Sequence, residues 1–287
     1  MTDLWPSLPP AAEWEDTRAT LHMWTQIVGK IRMAQTPLMN HWWNVTLYVT
    51  PRGLTTSAMP WNGESFSLDF DFIDHKLVVV TSTGAARTMP LTAQSVADFY
   101  RALMALLAGI GIHPQFSTLP SEVENPIRFE DDTQHAAYDA EMVHRFWRAL
   151  LQADRVLKIF RARFNGKCSP VHFFWGGFDL ACSRFSGRPA PPRPGSIDRI
   201  AYSHECCSAG FWAGSGDKWP EPAFYSYAAP EPAGFADAAP RYRRETGLCE
   251  LSYQTVRASA DPDATLLEFW QSIYDVAAEL GKWPGTK

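Results

Sequence analysis

The 287-residue chain has no apolar run approaching the ~20 residues that a membrane-spanning helix requires, so no membrane partner is expected. Its first residues, through Leu4-Trp5-Pro6, lack the basic start and apolar core of a secretion signal, and a cytoplasmic location is expected. Cysteine is sparse and unpatterned. The five present, Cys168, Cys182, Cys206, Cys207 and Cys249, are an odd number with no C-x-x-C pair and no zinc-ligand spacing. Neither a disulfide framework nor a tightly bound structural zinc is therefore expected, and most of the thiols read as buried. A basic excess is missing too: 26 Lys and Arg against 31 Asp and Glu leave a net charge of -5, which argues against a nucleic-acid partner. Two short clusters, Arg184, Arg188 and Arg193, and Arg241, Arg243 and Arg244, read mainly as loop charges. Phosphate-loop, dinucleotide G-x-G-x-x-G, H-E-x-x-H and G-x-S-x-G signatures are all absent, so the common nucleotide, zinc-protease and serine-hydrolase chemistries lose support.

What the chain has in quantity is aromatic side chain, with 12 Trp and 17 Phe among 46% hydrophobic residues. Each buries a large area with fixed mutual geometry, which gives a rigid core, an aromatic-walled pocket, or both. Apolar residues at three- and four-residue spacing predict helices over 16–33, 95–110, 139–164 and 263–280. Aromatic and β-branched runs predict strands over 41–49, 54–56, 65–72, 77–81 and 87–91, and again over 171–175, 178–185, 201–207, 223–228 and 248–256. The segment 65–72 alternates strictly, as a strand with one buried face must. The expected fold is α+β, in two pseudo-duplicated halves that each run helix, about five mostly antiparallel strands, helix. Residues 1–113 form the first half and 139–287 the second; the aperiodic, Pro- and acid-containing stretch 114–138 reads as a connection between them. Chance matching among aromatic-rich elements is the competing account of the repeat.

Polar residues with chemical potential crowd the second half. His172 lies in an apolar strand word, where an imidazole needs a partner or must stay neutral. Asp179 follows a Gly176-Gly177 break, and Tyr202-Ser203-His204-Glu205 adds an imidazole and a carboxylate. Successive strand residues face opposite sides, so His204 and Glu205 cannot both enter one site without a bulge, and His204 is the better candidate. Arg184, Ser186 and Arg188 form a loop suited to clamping a carboxylate or phosphate, although pairing of the arginines with Asp179 or Glu205 explains them as well. Trp212 and Tyr225 are candidates for a pocket wall, as core packing would also use them. His41 opens the first sheet and could meet His172 and His204 at a metal, a convergence that no spacing supports directly.

Several words of the chain resemble those of DUF5996, a bacterial family of unknown function. They are Leu21 to Lys30, His41-Trp42-Trp43, Phe72-Ile73-Asp74-His75, His172-Phe173-Phe174-Trp175-Gly176, Arg184 to Pro189, Tyr202-Ser203-His204-Glu205 and Glu221 to Tyr225. The resemblance covers nearly the whole chain and implies a bacterial origin, with no reaction, cofactor or catalytic residue attached. The expected function is a small-molecule enzyme whose pocket, lined by these imidazoles and arginines and walled by aromatics, holds an anionic ligand. The alternative is a non-catalytic ligand-binding or protein-assembly module. Convergence of the polar side chains on one cavity separates the two.

Overall fold

Helix α1 (Glu15–Gln35) buries Leu21, Trp24, Val28 and Ile31 completely, the stripe that its spacing predicts. Its Trp24 stacks on Phe99 of α2 (Val96–Ala108), with ring centroids 4.6 Å apart. Ser95 caps α2 by accepting the amide of Asp98 at 3.1 Å. The structure, a computed structural model, describes residues 4–215 and 219–284. None of the described helices is long and apolar enough to cross a membrane.

Two antiparallel six-stranded sheets follow. The first contains β1 (Tyr48–Thr50), β2 (Gly53–Thr55), β3 (Met59–Trp61), β4 (Glu64–Asp71), β5 (Lys76–Thr81) and β6 (Ala86–Pro90), in the order β1-β2-β4-β5-β6 with β3 paired to β4. Strict alternation in β4 puts Phe66, Leu68 and Phe70 in the core and Ser65, Ser67 and Asp69 on the other face. Long helix α3 (Ala140–Ala162) leads to the second sheet, made of β7 (His172–Phe174), β8 (Asp179–Pro189), β9 (His204–Trp212), β10 (Ala223–Ala229), β11 (Tyr242–Arg243) and β12 (Leu248–Ser252). Short helices α4 (Ser196–Ala201), α5 (Phe235–Ala238) and α6 (Tyr253–Arg257) interrupt that half, and α7 (Pro262–Leu280) closes it. The second sheet runs β11-β12-β10-β9-β8-β7, and α3 and α7 pack against it and against each other.

The sheets meet edge to edge. Leu47 and Phe173 exchange backbone hydrogen bonds of 2.9 and 2.8 Å, so the exposed edge of each sheet is used by the other. One hydrophobic cluster accordingly runs through both halves, from Trp5 to Trp283.

The α+β class and the four long helices agree with the sequence pattern; the expected opening strand does not. The run 41–46 is not strand: residues 40–42 form a 3-10 turn, and His41 and Trp42 both take left-handed backbone angles (φ 58° and 60°) that β-propensity does not anticipate. The connecting stretch 114–138 is packed against the core. Phe129 is fully buried, and Asp132, buried as well, accepts the amides of Gln134 and His135 while the Ala97 amide bonds to its carbonyl. The two halves share the helix, sheet, helix order, but the second ends β10-β12-β11 where the first runs β4-β5-β6, so this likeness alone does not establish a duplication.

Gly29, in the middle of α1, allows the indole of Trp175 to lie directly on the helix backbone; a Cβ there would fall 2.2 Å from the ring. Helix propensity favours Ala over Gly by about 1 kcal/mol, whereas overpacking costs about 1–3 kcal/mol. Gly29→Ala is therefore expected to destabilise the protein despite its better propensity, and denaturant unfolding of the two proteins checks the sign.

Candidate active site

Strand β8 divides its residues between two environments. Leu180, Cys182 and Arg184 face α3 and α7, whereas Asp179, Ala181, Ser183 and Phe185 line the opposite face of the sheet. On that opposite face lies a cavity of about 280 Å³, close to the lower end of the usual ligand-pocket range of roughly 300–1,000 Å³. The register sets its floor. Ser183, Ser208 and Tyr227 form one cross-strand row, and Ala181, Gly210 and Tyr225 the next. The small residues of the second row make room for a ring laid across the sheet: a Cβ on Gly210 would sit 2.3 Å from Cζ of Tyr225. Tyr225 thereby reaches Asp179 and donates its hydroxyl proton to Oδ2.

Burial raises the Asp179 carboxyl to about 7, against the pull of the Tyr225 hydrogen bond and with a further push from the charge of Glu122. The Tyr225 hydroxyl is itself held well above its ordinary value by burial and by Asp179, which keeps it a proton donor. Glu122 projects into the cavity from the connecting segment, and its carboxyl is raised by loss of solvent and by Asp198 across the opening. Gly176 and Gly177 sit against the two carboxylates. A Cβ would fall 2.4 Å from Glu122 Oε2 at the first and 2.8 Å from Asp179 Oδ1 at the second.

A stripe of α1 grips both carboxylate-bearing loops. His22, Gln26 and Lys30 recur every four residues and so share one helix face. His22 Nε2 lies 2.9 Å from the Trp175 carbonyl and 3.0 Å from that of Gly176, so this nitrogen carries the hydrogen. Burial holds the imidazole down at about 4, and it stays neutral at ordinary pH. The Gln26 side chain donates to the Ser121 carbonyl (2.7 Å) and accepts the Ser121 amide (2.9 Å), and Lys30 donates to Ser121 Oγ at 3.0 Å. Trp175 adds an indole hydrogen bond of 2.7 Å to the Val45 carbonyl.

The remaining wall is the 40–43 turn and α4. His41 Nδ1 donates to the Ala201 carbonyl at 2.9 Å, leaving Nε2 to accept from Lys167 at 2.9 Å, and the Trp42 indole donates to the Ile197 carbonyl at 3.0 Å. The left-handed backbone of His41 and Trp42 is held by these bonds, strain of a kind that collects at functional sites.

Of the residues singled out in the sequence, Asp179, His41, Tyr202 and Tyr225 line the cavity. The rest go elsewhere, each for a definite reason. Arg184 is on the other face of β8, stacked on Phe160 and Tyr274 and donating to Gln271 and the Phe160 carbonyl. Arg188 and Ser186 both bond Glu205, at 2.8 and 2.7 Å, and Arg188 also caps the end of α7 through the Lys282 carbonyl at 3.2 Å. Glu205, of opposite strand parity to Cys206 and Ser208, borders a second, smaller hollow. His204 packs edge-on against His41, centroids 5.5 Å apart, without lining the cavity. His172 is fully buried among Trp43, Tyr48 and Phe174, and burial drops its imidazole to about 3. Neither of its ring nitrogens has a partner among the described residues. Trp212 pairs with Trp219 beyond the cavity's end.

The expected meeting of His172, His204, Arg184 and Arg188 therefore does not occur, nor does a three-histidine cluster; among the described residues no group of His, Cys, Asp or Glu is disposed to hold a metal. Among the described residues, the cavity's ionisable lining is instead Glu122, Asp179, Asp198 and His41, with Tyr202, Tyr225, Tyr227 and Cys206, and contains no Lys or Arg. Glu122 carried no sequence signal, because its loop has no periodicity and no motif. The His22-Gln26-Lys30 stripe was visible as a pattern of polar residues on a helix, but not its target.

The family of unknown function DUF5996 matches residues 5–287. No curated protein and no solved structure matches the chain.

Asp179→Asn removes an ionisation that burial opposes. Its folded value, about 7, lies above the ~3.9 of an unfolded aspartate, so wild type loses stability as pH rises between those values. The variant lacks that loss. Its stability relative to wild type should grow by roughly 1–3 kcal/mol from pH 5 to pH 8, measured by denaturant unfolding at both; an unchanged difference would show that Asp179 is not shifted.

Proposed function

Because the chain belongs to the family of unknown function DUF5996, whose description names no reaction, we propose a function from the cavity: a small-molecule enzyme that uses Asp179 for proton transfer on an uncharged or positively charged substrate. The observation that carries this reading is a carboxyl poised near neutrality on a cavity wall, with Tyr225 donating to it. A group whose value matches the working pH both gives and takes a proton efficiently. Pairs of carboxyls placed in different environments supply the acid and base roles of many enzymes. Here Asp179 is the proton-transfer group and Glu122, nearer the mouth, stabilises positive charge that develops on the substrate. Tyr225 steadies the Asp179 carboxylate after it has given up its proton.

The ligand class follows from the same lining. Three carboxylates, with no Lys or Arg lining the cavity among the described residues, repel an anion, and the faces of Trp43, Phe174 and Trp175 attract a cation or pack on an apolar body. Lys167 stands beside the rim, over the rings of Phe185 (4.8 Å) and Trp43 (5.5 Å), and donates to His41. The anionic ligand expected from Arg184 and Arg188 thus gives way to an amine-bearing or neutral polar one.

A thermal-shift screen of primary and quaternary amines, polyols and carboxylates tests the binding half of this reading, because bound ligand raises the melting temperature by mass action. Amines or polyols should stabilise wild type, and Glu122→Gln should weaken the amine response. Conversion of a stabilising compound should fall on the order of 100-fold or more in Asp179→Asn while its binding persists. Stabilisation by carboxylates alone would sink the assignment; binding of an amine with no turnover under any condition would leave a binding module.

A further inference from the structure

On the far side of β8 from the cavity, Cys168 and Cys182 point at one another with their sulfurs 3.6 Å apart. They lie diagonally across an antiparallel contact: Cys168 forms an isolated bridge with Arg184, two residues beyond Cys182 on the same strand. Cys168 is partly exposed and Cys182 fully buried, so a small reagent meets Cys168 first.

The surroundings favour an anion at Cys168. Arg184 is only 1% exposed and pairs with no carboxylate among the described residues; its guanidinium donates to Gln271 and the Phe160 carbonyl, and Nε has no partner among them. A buried cation without a counter-ion is costly, and a thiolate is the anion that this neighbourhood can supply. Arg161, whose Nε donates to the Ser169 carbonyl at 2.7 Å, adds a second positive charge beside the same segment. The Cys168 thiol is held below its ordinary value by a hydrogen bond from Cys182 and by the charges of Arg161 and Arg184. That same bond and burial push Cys182 well up. One sulfur is thus prepared to attack and the other to keep its proton until it resolves the product.

We propose that Cys168 and Cys182 are a peroxide-oxidised dithiol, in which Cys168 is the attacking thiolate and Cys182 the resolving thiol that closes a disulfide. In the first step the Cys168 thiolate takes one oxygen of hydrogen peroxide: an S–O bond forms, the O–O bond breaks, and the departing hydroxide gains a proton to leave as water. Cys168 is then a sulfenic acid. In the second, Cys182 displaces the hydroxyl from Cys168. An S–S bond forms, the S–O bond breaks, and the Cys182 proton leaves with the hydroxyl as a second water. The sum is two thiols and one peroxide giving one disulfide and two waters, reversed by an external dithiol. Closure brings the sulfurs from 3.6 Å to about 2.05 Å. Segment 167–169 is held beside β8 around the Cys168–Arg184 bridge, with the Ser169 amide donating to the Ser183 carbonyl at 2.8 Å and the Phe185 amide to the Lys167 carbonyl at 2.9 Å, and Pro170 has no amide hydrogen to extend the pairing.

The test uses the reduced full-length chain and hydrogen peroxide, followed by blocking of free thiols, intact mass and peptide mapping. Wild type should lose two hydrogens and yield joined peptides containing Cys168 and Cys182. Cys182→Ser should stop at a sulfenic acid on Cys168, trapped by dimedone, and Cys168→Ser should give neither product. At neutral pH, Cys168 should alkylate at least about tenfold faster than Cys182. Melting curves of the two serine variants confirm that each is folded before its chemistry is read. Equal oxidation of Cys168→Ser, a disulfide through Cys206, Cys207 or Cys249 instead, or no joined peptide in wild type would each overturn the proposal.

Discussion

The grip of one helix face on two loops organises this protein. His22 and Gln26 spend their hydrogen bonds on the backbone of Trp175, Gly176 and Ser121, far away in sequence, and Lys30 adds one to the Ser121 hydroxyl. Loops ordinarily satisfy their backbone with water. Here a neutral imidazole and an amide replace that water and fix the loops to the most deeply buried helix of the first half. Trp175 completes the clamp by lying on the backbone at Gly29 and bonding the Val45 carbonyl. Without this anchorage Glu122 and the Gly176-Gly177 turn would have no fixed relation to the sheet that carries Asp179.

A second constraint is the parity of β8. Its two faces serve opposite purposes, and one residue step separates them. Asp179 and Ser183 look into the cavity, while Cys182 and Arg184 look into the helical layer. The same parity explains why Arg184 became a structural residue. Its guanidinium lies 3.5 Å from the centroid of Phe160 and 4.4 Å from that of Tyr274, contacts that partly offset its desolvation. It is placed to bind nothing in the cavity, yet its charge helps to hold the Cys168 thiol below its ordinary value.

At Asp179 two effects compete, and burial wins. A single hydrogen bond from Tyr225 favours the carboxylate, but a desolvated wall and a neighbouring carboxylate disfavour it more. The outcome depends on Gly210 and Ala181, whose lack of bulk lets the tyrosine ring lie flat enough to reach. A larger residue in that row would separate donor from acceptor and leave the carboxyl to burial alone.

The sequence by itself determined the helices, most of the strands and the α+β class, because periodicity is a local property: Leu21, Trp24, Val28 and Ile31 need only their own spacing to declare a buried face. It also pointed to Asp179, His41, Tyr202 and Tyr225 through chemical type. It did not separate these from Arg184, Arg188, His172 and His204, which have equal chemical potential in isolation. That division was made by strand parity, by a bulge between Phe185 and Pro189, and by partners such as Glu205 and Gln271 that are distant in the chain. The left-handed turn at His41-Trp42 was illegible for a related reason: its backbone is held by carbonyls of α4, more than 150 residues away. Glu122 lay in a segment with no pattern at all, and only the tertiary structure, through Gln26, places its carboxylate in the cavity beside Asp179, because a loop's position is fixed by whatever binds its backbone and not by its own residues.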